Sequence, residues 1–515
     1  MRKLLFIFCT LALTACSLEE NPRDQIPEEE AFKTKRLLFE NTVATLYNYI
    51  GGNVDGEGLQ GTCRGVYDLQ TFGSDEAMLP IRGADWYDGG VWVAMYKHSW
   101  NAGHEFVKNA WLYLYKVIAL CNRSLSKLEA HRQLADRDYE SWNAEIRALR
   151  AMFYWYLIDL YGDVPLITSP DVSMNEVTRN PRKEVFNFCI KELEECIPLL
   201  YYENSVSEGE YYGRMTIPVA RFVLVKLLLN SAVYTGSNDV NKYYEACIQH
   251  CKYFAVMFEL QRMMADNFAV NNQYSKENIF VIPMDKNIYT NLQSNINRSI
   301  HYRHADAFGF KAENGTCATL KTMEIFGYDT NSEDLRIITT FFIGKVFDQK
   351  GEVVLDRMGE PLEYYPDKVK LDLTGSKYVE TAGARMYKYE IDKNAFKDGK
   401  LVDNDIVLFR YADVLLMMAE AKVRLGQSGQ KELDMIRERS LMETIPCTLD
   451  NILNERMLEL CWEGWRRQDL IRFGKYKSLY IGTDAVDESD GHTTLFPIPS
   501  DVRTANPKLT QNPGY

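Results

Sequence analysis

The residues of this chain whose types could do chemistry fall first into two loop segments. In the glycine-rich stretch 51–92, Trp86, Tyr87 and Trp92 offer flat aromatic faces, while Asn53, Asp55, Asp75 and Arg82 offer hydrogen-bonding groups. A ligand with apolar C–H faces and many hydroxyls, such as a sugar ring, needs both kinds of group in one exposed place. The competing reading of each tryptophan is a core position, because indole rings are highly buried on average. Gly83, Gly89 and Gly90 beside them favour exposure. A second group could complete the same cleft: Tyr289, Asn291, Arg303 within His301-Tyr302-Arg303-His304, Cys317 and Arg385. For Arg385 an ion pair at a strand end is the stronger reading, and Cys317 reads equally well as a packed thiol.

A third feature points to covalent chemistry. Arg2 and Lys3, an apolar run over residues 4–13 and the small residues Thr14-Ala15 lead directly into Cys16. That order predicts a cleaved secretory signal over residues 1–15, and the apolar run is too short to span a bilayer. The cysteine looks like a bacterial lipobox cysteine, acylated after cleavage, and several acyl chains on one residue hold a protein stably on a membrane. Residues 16–30 then read as an acidic membrane tether.

Other chemistries find little support. His301 and His304 form a tight pair without a third ligand at a recognisable spacing, so no metal site is expected, and no cofactor fingerprint is present. No nucleophile elbow or phosphate-binding loop stands out, and no catalytic residue is assigned. Glycoside hydrolysis needs only two suitably spaced carboxylates, a condition that 72 acidic residues neither support nor exclude. A net charge of −13 without clustered Lys and Arg argues against nucleic acid as a partner. Of 11 cysteines, most of those other than Cys9 and Cys16 read as small core residues and not as disulfides or metal ligands, since Cys189/Cys196 and Cys247/Cys251 lie within helical stretches.

The elements that must position these groups are mostly helices. Apolar residues recur at three- and four-residue spacing over 104–130, 137–161, 182–200, 215–235 and 241–258, which predicts successive helical hairpins of tetratricopeptide-like form. Residues 51–100 lack any period and read as a long functional loop. Residues 261–400 read as an insert of loops and short strands, including 278–282 and 385–389, with a hairpin tip at Asp348-Gln349-Lys350-Gly351. Helices are expected again over 407–425, 431–442 and 449–473. The expected fold class is therefore mainly α, a helical-hairpin scaffold with an irregular loop-rich face. Residues 31–260 form its N-terminal helical region and 261–515 its C-terminal region.

Several blocks make the resemblance specific. Arg147, Arg150-Ala151, Tyr154, Leu157, Tyr161-Gly162 and Val164-Pro165 resemble a signature helix of the SusD/RagB family of Bacteroidetes outer-membrane lipoproteins. Arg410-Tyr411-Ala412-Asp413 with Ala419-Glu420-Ala421, then Glu455-Arg456, Glu459-Leu460 and Glu463-Gly464, and finally Asn512-Pro513-Gly514-Tyr515 resemble later blocks of that family, in order. Arg467 departs from the pattern, standing where an aromatic commonly follows. On a continuous helix, Arg456/Glu459 and Glu463/Arg467 would form local ion pairs worth a few tenths of a kcal/mol each, marking fold and not site. The resemblance implies a cell-surface glycan-binding lipoprotein, held in the outer membrane through its lipid anchor and facing outward. It further implies delivery of oligosaccharide to a SusC-like TonB-dependent transporter. The alternatives are a surface glycoside hydrolase and a helical-repeat scaffold that binds only proteins.

Overall fold

The computed structural model describes residues 27–202, 209–330, 332–478, 480–481, 484–485 and 490–515. The signal segment, Cys16 and the tether up to residue 26 lie outside the described residues. The end of the expected tether is already part of the fold. Glu28–Ala31 is a short helix, and Glu28 pairs with Lys127 at 2.6 Å.

The architecture is mainly helical, a set of tetratricopeptide-like hairpins. Glu105–Ala130 buries Phe106, Ala110, Leu114, Val117 and Cys121 along one stripe, as residues spaced by three and four on one helix face must. Tyr139–Tyr161 is buried on every side over its last turns, residues 148–161. It is the central rod, packed between Glu105–Ala130 and Arg182–Cys196. Gly162 ends it at φ 75°, where a Cβ would lie 2.7 Å from Leu495, so the stop requires glycine. Ile217–Leu229 is buried almost all round, Lys226 included, and lies against Arg182–Cys196, Asn241–Phe254 and Tyr411–Arg424. Among the described residues nine cysteines are unpaired and, apart from the half-buried Cys447, packed in the interior.

Four expected elements differ. The 51–100 stretch is not structureless: Val66–Thr71 is a buried helix and Val91–Tyr96 a second. The helix expected from 407 begins instead at Tyr411, because Ile406–Arg410 is a strand paired antiparallel with Asn278–Ile282, Ile282 opposite Ile406. The helix expected over 449–473 breaks into Leu449–Leu460 and Arg466–Arg472 around Trp462, whose φ is 67° and whose N–H donates to Glu76 at 2.9 Å. In the insert, strand 278–282 forms as expected, whereas 385–389 shortens to Arg385–Met386. The Asp348 turn closes a hairpin through Asp348 N–H to Glu352 O at 2.8 Å.

Both breaks serve a buried ion-pair belt. Arg410, at the end of its strand, binds Glu463 at 2.7 Å, Glu277 at 2.8 Å and Glu459 at 2.5 Å. Arg456 binds Asp413 and Asp469, each at 2.7 Å, and Arg472 binds Glu420 at 2.8 Å and Asp469 at 2.7 Å. Burial alone would push the Glu459 carboxyl up, but Arg439, Arg410 and Arg336 together hold it well below the ordinary carboxylate range. The expected local pairs are therefore absent: Arg456 and Glu463 reach across to other elements, and Arg467 donates to Thr494 O at 2.7 Å and stacks 4.5 Å from Phe496.

Candidate functional site

Several residues expected to touch ligand are interior. Trp92 is 2% exposed, wedged 4.6 Å from the Phe106 ring and 5.2 Å from Phe72. It sits on the Val91–Tyr96 helix, where Trp92, Met95 and Tyr96 share the inward face. Asp75 is buried with both carboxylate oxygens on Arg466, at 2.7 and 2.9 Å. Cys317 is fully buried in a two-residue strand beside Met78. Arg82 and Arg385 are buried as well, and Arg385 does not form the strand-end ion pair: carbonyls and the Tyr364 ring surround it. None of these five lines the cleft that holds Asn53, Tyr289 and Asn291.

The two buried arginines have another role. Arg82 donates to Val379 O at 2.9 Å, Ala382 O at 2.9 Å and Gly315 O at 3.2 Å. Arg385 donates to Glu380 O at 2.9 Å and lies 5.1 Å from the Tyr364 ring. Burial, with Arg385 close by, pushes the Arg82 guanidinium down to about 9. The five-donor fork of arginine suits this task, since one planar group can gather several carbonyls. Together they tie loops 82–86, 313–317 and 378–385 into one platform.

On that platform stands an exposed aromatic ridge. Trp86 is half-buried, donates its Nε1–H to Glu313 O at 2.9 Å and lies against Gly315, where a Cβ would approach the indole to 2.7 Å. Tyr87 beside it is 58% exposed. Tyr302, not among the expected ligand contacts, donates to Asp85 at 3.0 Å, with the Arg357 guanidinium 5.0 Å from its ring. Arg357 pairs with Glu380 at 3.6 Å, and His301 Nε2 lies 3.0 Å from the same carboxylate. Arg303 is exposed, and among the described residues its side chain pairs only with Asp306, at 3.9 Å.

A cleft of about 680 Å³ lies beside the 51–64 segment and brings together Asn53, Tyr289 and Asn291 with Tyr47, Tyr49 and Tyr212. Tyr289 is 46% exposed and Ile288 70%. The backbone joins the two walls through Leu292 N–H to Gly52 O at 2.8 Å. Lys116 sits 4.7 Å over the Tyr49 ring and binds Glu57 at 2.6 Å. Tyr212 donates to Asp405, whose carboxyl burial pushes up to about 6. Asp55 is exposed on the same turn as Asn53, and from there Arg64 reaches Asp88, next to Tyr87, at 2.7 Å. Cleft and ridge are thus the two ends of one segment, 51–88. Their inventory of rings, amides and carboxylates suits non-covalent recognition of a hydroxyl-rich ligand. Among the described residues no group of three His, Cys, Asp or Glu side chains could hold a metal ion. His304 is spent on Tyr364 at 3.1 Å.

Two family models match the chain. Residues 67–216 match the model described as starch-binding associating with outer membrane, and 366–515 match that of the SusD family. The chain belongs to the SusD family. The starch-binding protein SusD of Bacteroides thetaiotaomicron is 24% identical over 503 residues, 89% of this chain and 87% of that protein. Among solved structures, surface glycan-binding protein A of Bacteroides uniformis superposes with TM-score 0.72 at 19% identity, covering 93% of this chain and 99% of that one. Surface glycan-binding protein A of Bacteroides thetaiotaomicron in complex with laminarihexaose has TM-score 0.70 at 20% identity, with 93% and 99% covered. The SusD motifs near Arg150, Arg410 and Arg456 all lie in the scaffold and its ion-pair belt. None of them lines the cleft.

Proposed function

We propose that this chain is a surface glycan-binding lipoprotein that captures oligosaccharide at the Tyr289 cleft and Trp86 ridge without cleaving it. The observation that carries this reading is the convergence of Tyr289, Asn291 and Asn53 in one open cleft. In it, aromatic rings can lie against sugar C–H faces while amides bond hydroxyls. Acylated Cys16 tethers the protein to the outer membrane, and the captured glycan passes to a SusC-like TonB-dependent transporter. Support for these last steps comes from the lipobox-like start of the chain and from family membership.

Titration calorimetry of the purified protein against a panel of oligosaccharides, with laminarihexaose and maltohexaose among them, tests the reading. Binding without release of reducing ends is expected, weakened by Trp86→Ala and by Tyr289→Ala. Release of reducing ends would replace it with a hydrolase, and silence across the panel would leave only a protein-binding scaffold. Co-purification of a large TonB-dependent channel with tagged protein tests the delivery step, which fails if no such channel is recovered.

A further inference from the structure

A larger cleft, of about 880 Å³, lies elsewhere on the molecule, between the helices Leu320–Ile325 and Leu449–Leu460, and shares no lining residue with the Tyr289 cleft. We propose that it is a second saccharide-binding site, taking a neutral hydroxyl-rich ring or short chain of rings. This rests on the reading that the chain binds glycans.

The floor and walls supply apolar surface. Leu320, Ile325, Leu453 and Leu470 line it, with the half-buried ring of Tyr328 among them. The charge beneath is fully used: Arg466 directs Nε and Nη2 to Asp75 and Nη1 to Leu453 O at 3.0 Å. The floor therefore asks for no ion.

On the rim three lysines are matched by carboxylates, which leaves Asp329 over. Lys321 pairs with Glu324 at 2.9 Å, Lys475 with Asp450 at 3.1 Å, and Lys368 with Asp367. Exposed pairs of this kind contribute little, so each group can turn to a sugar hydroxyl at small cost. The side chains of Asn454 and Asp329, both exposed, have no hydrogen-bond or ion-pair partner among the described residues and stand ready as donor and acceptor. Tyr328 keeps its proton, because burial and the nearby Asp367 and Asp329 push its hydroxyl up, and so it can donate. A phosphate or sulfate ester would meet the carboxylates, and a bare cation would meet Lys321 and Lys475. A neutral polyol meets neither obstacle and finds both an apolar floor and mixed donors and acceptors.

The test is the stoichiometry of oligosaccharide binding by calorimetry, with laminarihexaose and maltohexaose as probes, on three proteins whose folding is checked by thermal melting. These are the wild type, Asp329→Asn with Asn454→Ala, and Trp86→Ala with Tyr289→Ala. Two classes of site are expected in the wild type, one weakened at least fivefold in each double variant. A single class, indifferent to Asp329 and Asn454 but lost with Trp86 and Tyr289, overturns this inference and leaves the proposed function standing. Binding that survives loss of Trp86 and Tyr289 but not of Asp329 and Asn454 supports this cleft and removes the first face. No heat from either probe or the wider panel overturns both.

Discussion

The ion-pair belt and the aromatic face use the same residue types to opposite ends. In the belt, the side chains of Arg410, Arg456 and Arg472 are at most 2% exposed, each bridging carboxylates of different elements at 2.5–2.8 Å. On the face, Arg357 and Arg303 have side chains 59% and 49% exposed, with partners no closer than 3.6 and 3.9 Å. A buried arginine with satisfied hydrogen bonds is committed to one geometry, whereas an exposed one keeps its donors for an incoming ligand. Between these extremes stand Arg82 and Arg385, interior like the belt yet bound to carbonyls, whose product is the shape of the loops above them.

This contrast is sharpest at Arg410. Arg410→Ala removes the cation shared by Glu277, Glu459 and Glu463, leaving three buried carboxylates to Arg439, Arg336 and Lys388, and we expect a loss of about 3–5 kcal/mol, read by urea unfolding. A loss below about 1 kcal/mol would dissolve the distinction between belt and face. Glu76 offers a pH test within the belt's neighbourhood. Burial pushes its carboxyl from 4.5 to about 8, so the native state holds a proton that the unfolded chain releases. Stability from this group therefore falls as pH rises from about 4.5 to about 8, by at most about 1.4 kcal/mol per unit, and is flat above. Glu76→Gln should flatten that stretch of the stability–pH curve. An unchanged slope would show that Glu76 ionises normally.

The face should respond in affinity instead. Tyr289→Ala is expected to weaken oligosaccharide binding about tenfold, roughly 1.4 kcal/mol, while unfolding shifts by no more than about 0.5 kcal/mol. Equal losses in both measurements would make Tyr289 structural. Arg303→Ala, at a weakly paired exposed position, should leave stability within about 0.5 kcal/mol and serves as the baseline.

How much of this was legible in the sequence varies by region. The helices of the scaffold were, because three- and four-residue apolar spacing reports directly on a buried face, as along Phe106, Ala110 and Leu114. The burial of Trp92 was also legible from its spacing to Met95 and Tyr96, had that stretch been read as a helix. Tyr302 carried no such signal, since what sets it apart is its contact with Asp85 and Arg357, far away in the chain.

Local pattern by itself determined the helical scaffold, the packed free thiols and the family motifs, because each depends on neighbours a few residues apart. Only the tertiary structure decided that Glu459 and Glu463 answer Arg410 and not their helix neighbours, that Arg82 and Arg385 shape loops from within, and that Asn53 meets Tyr289 and Asn291. Those outcomes depend on which segments fold against one another, and a one-dimensional period holds no record of partners hundreds of residues away.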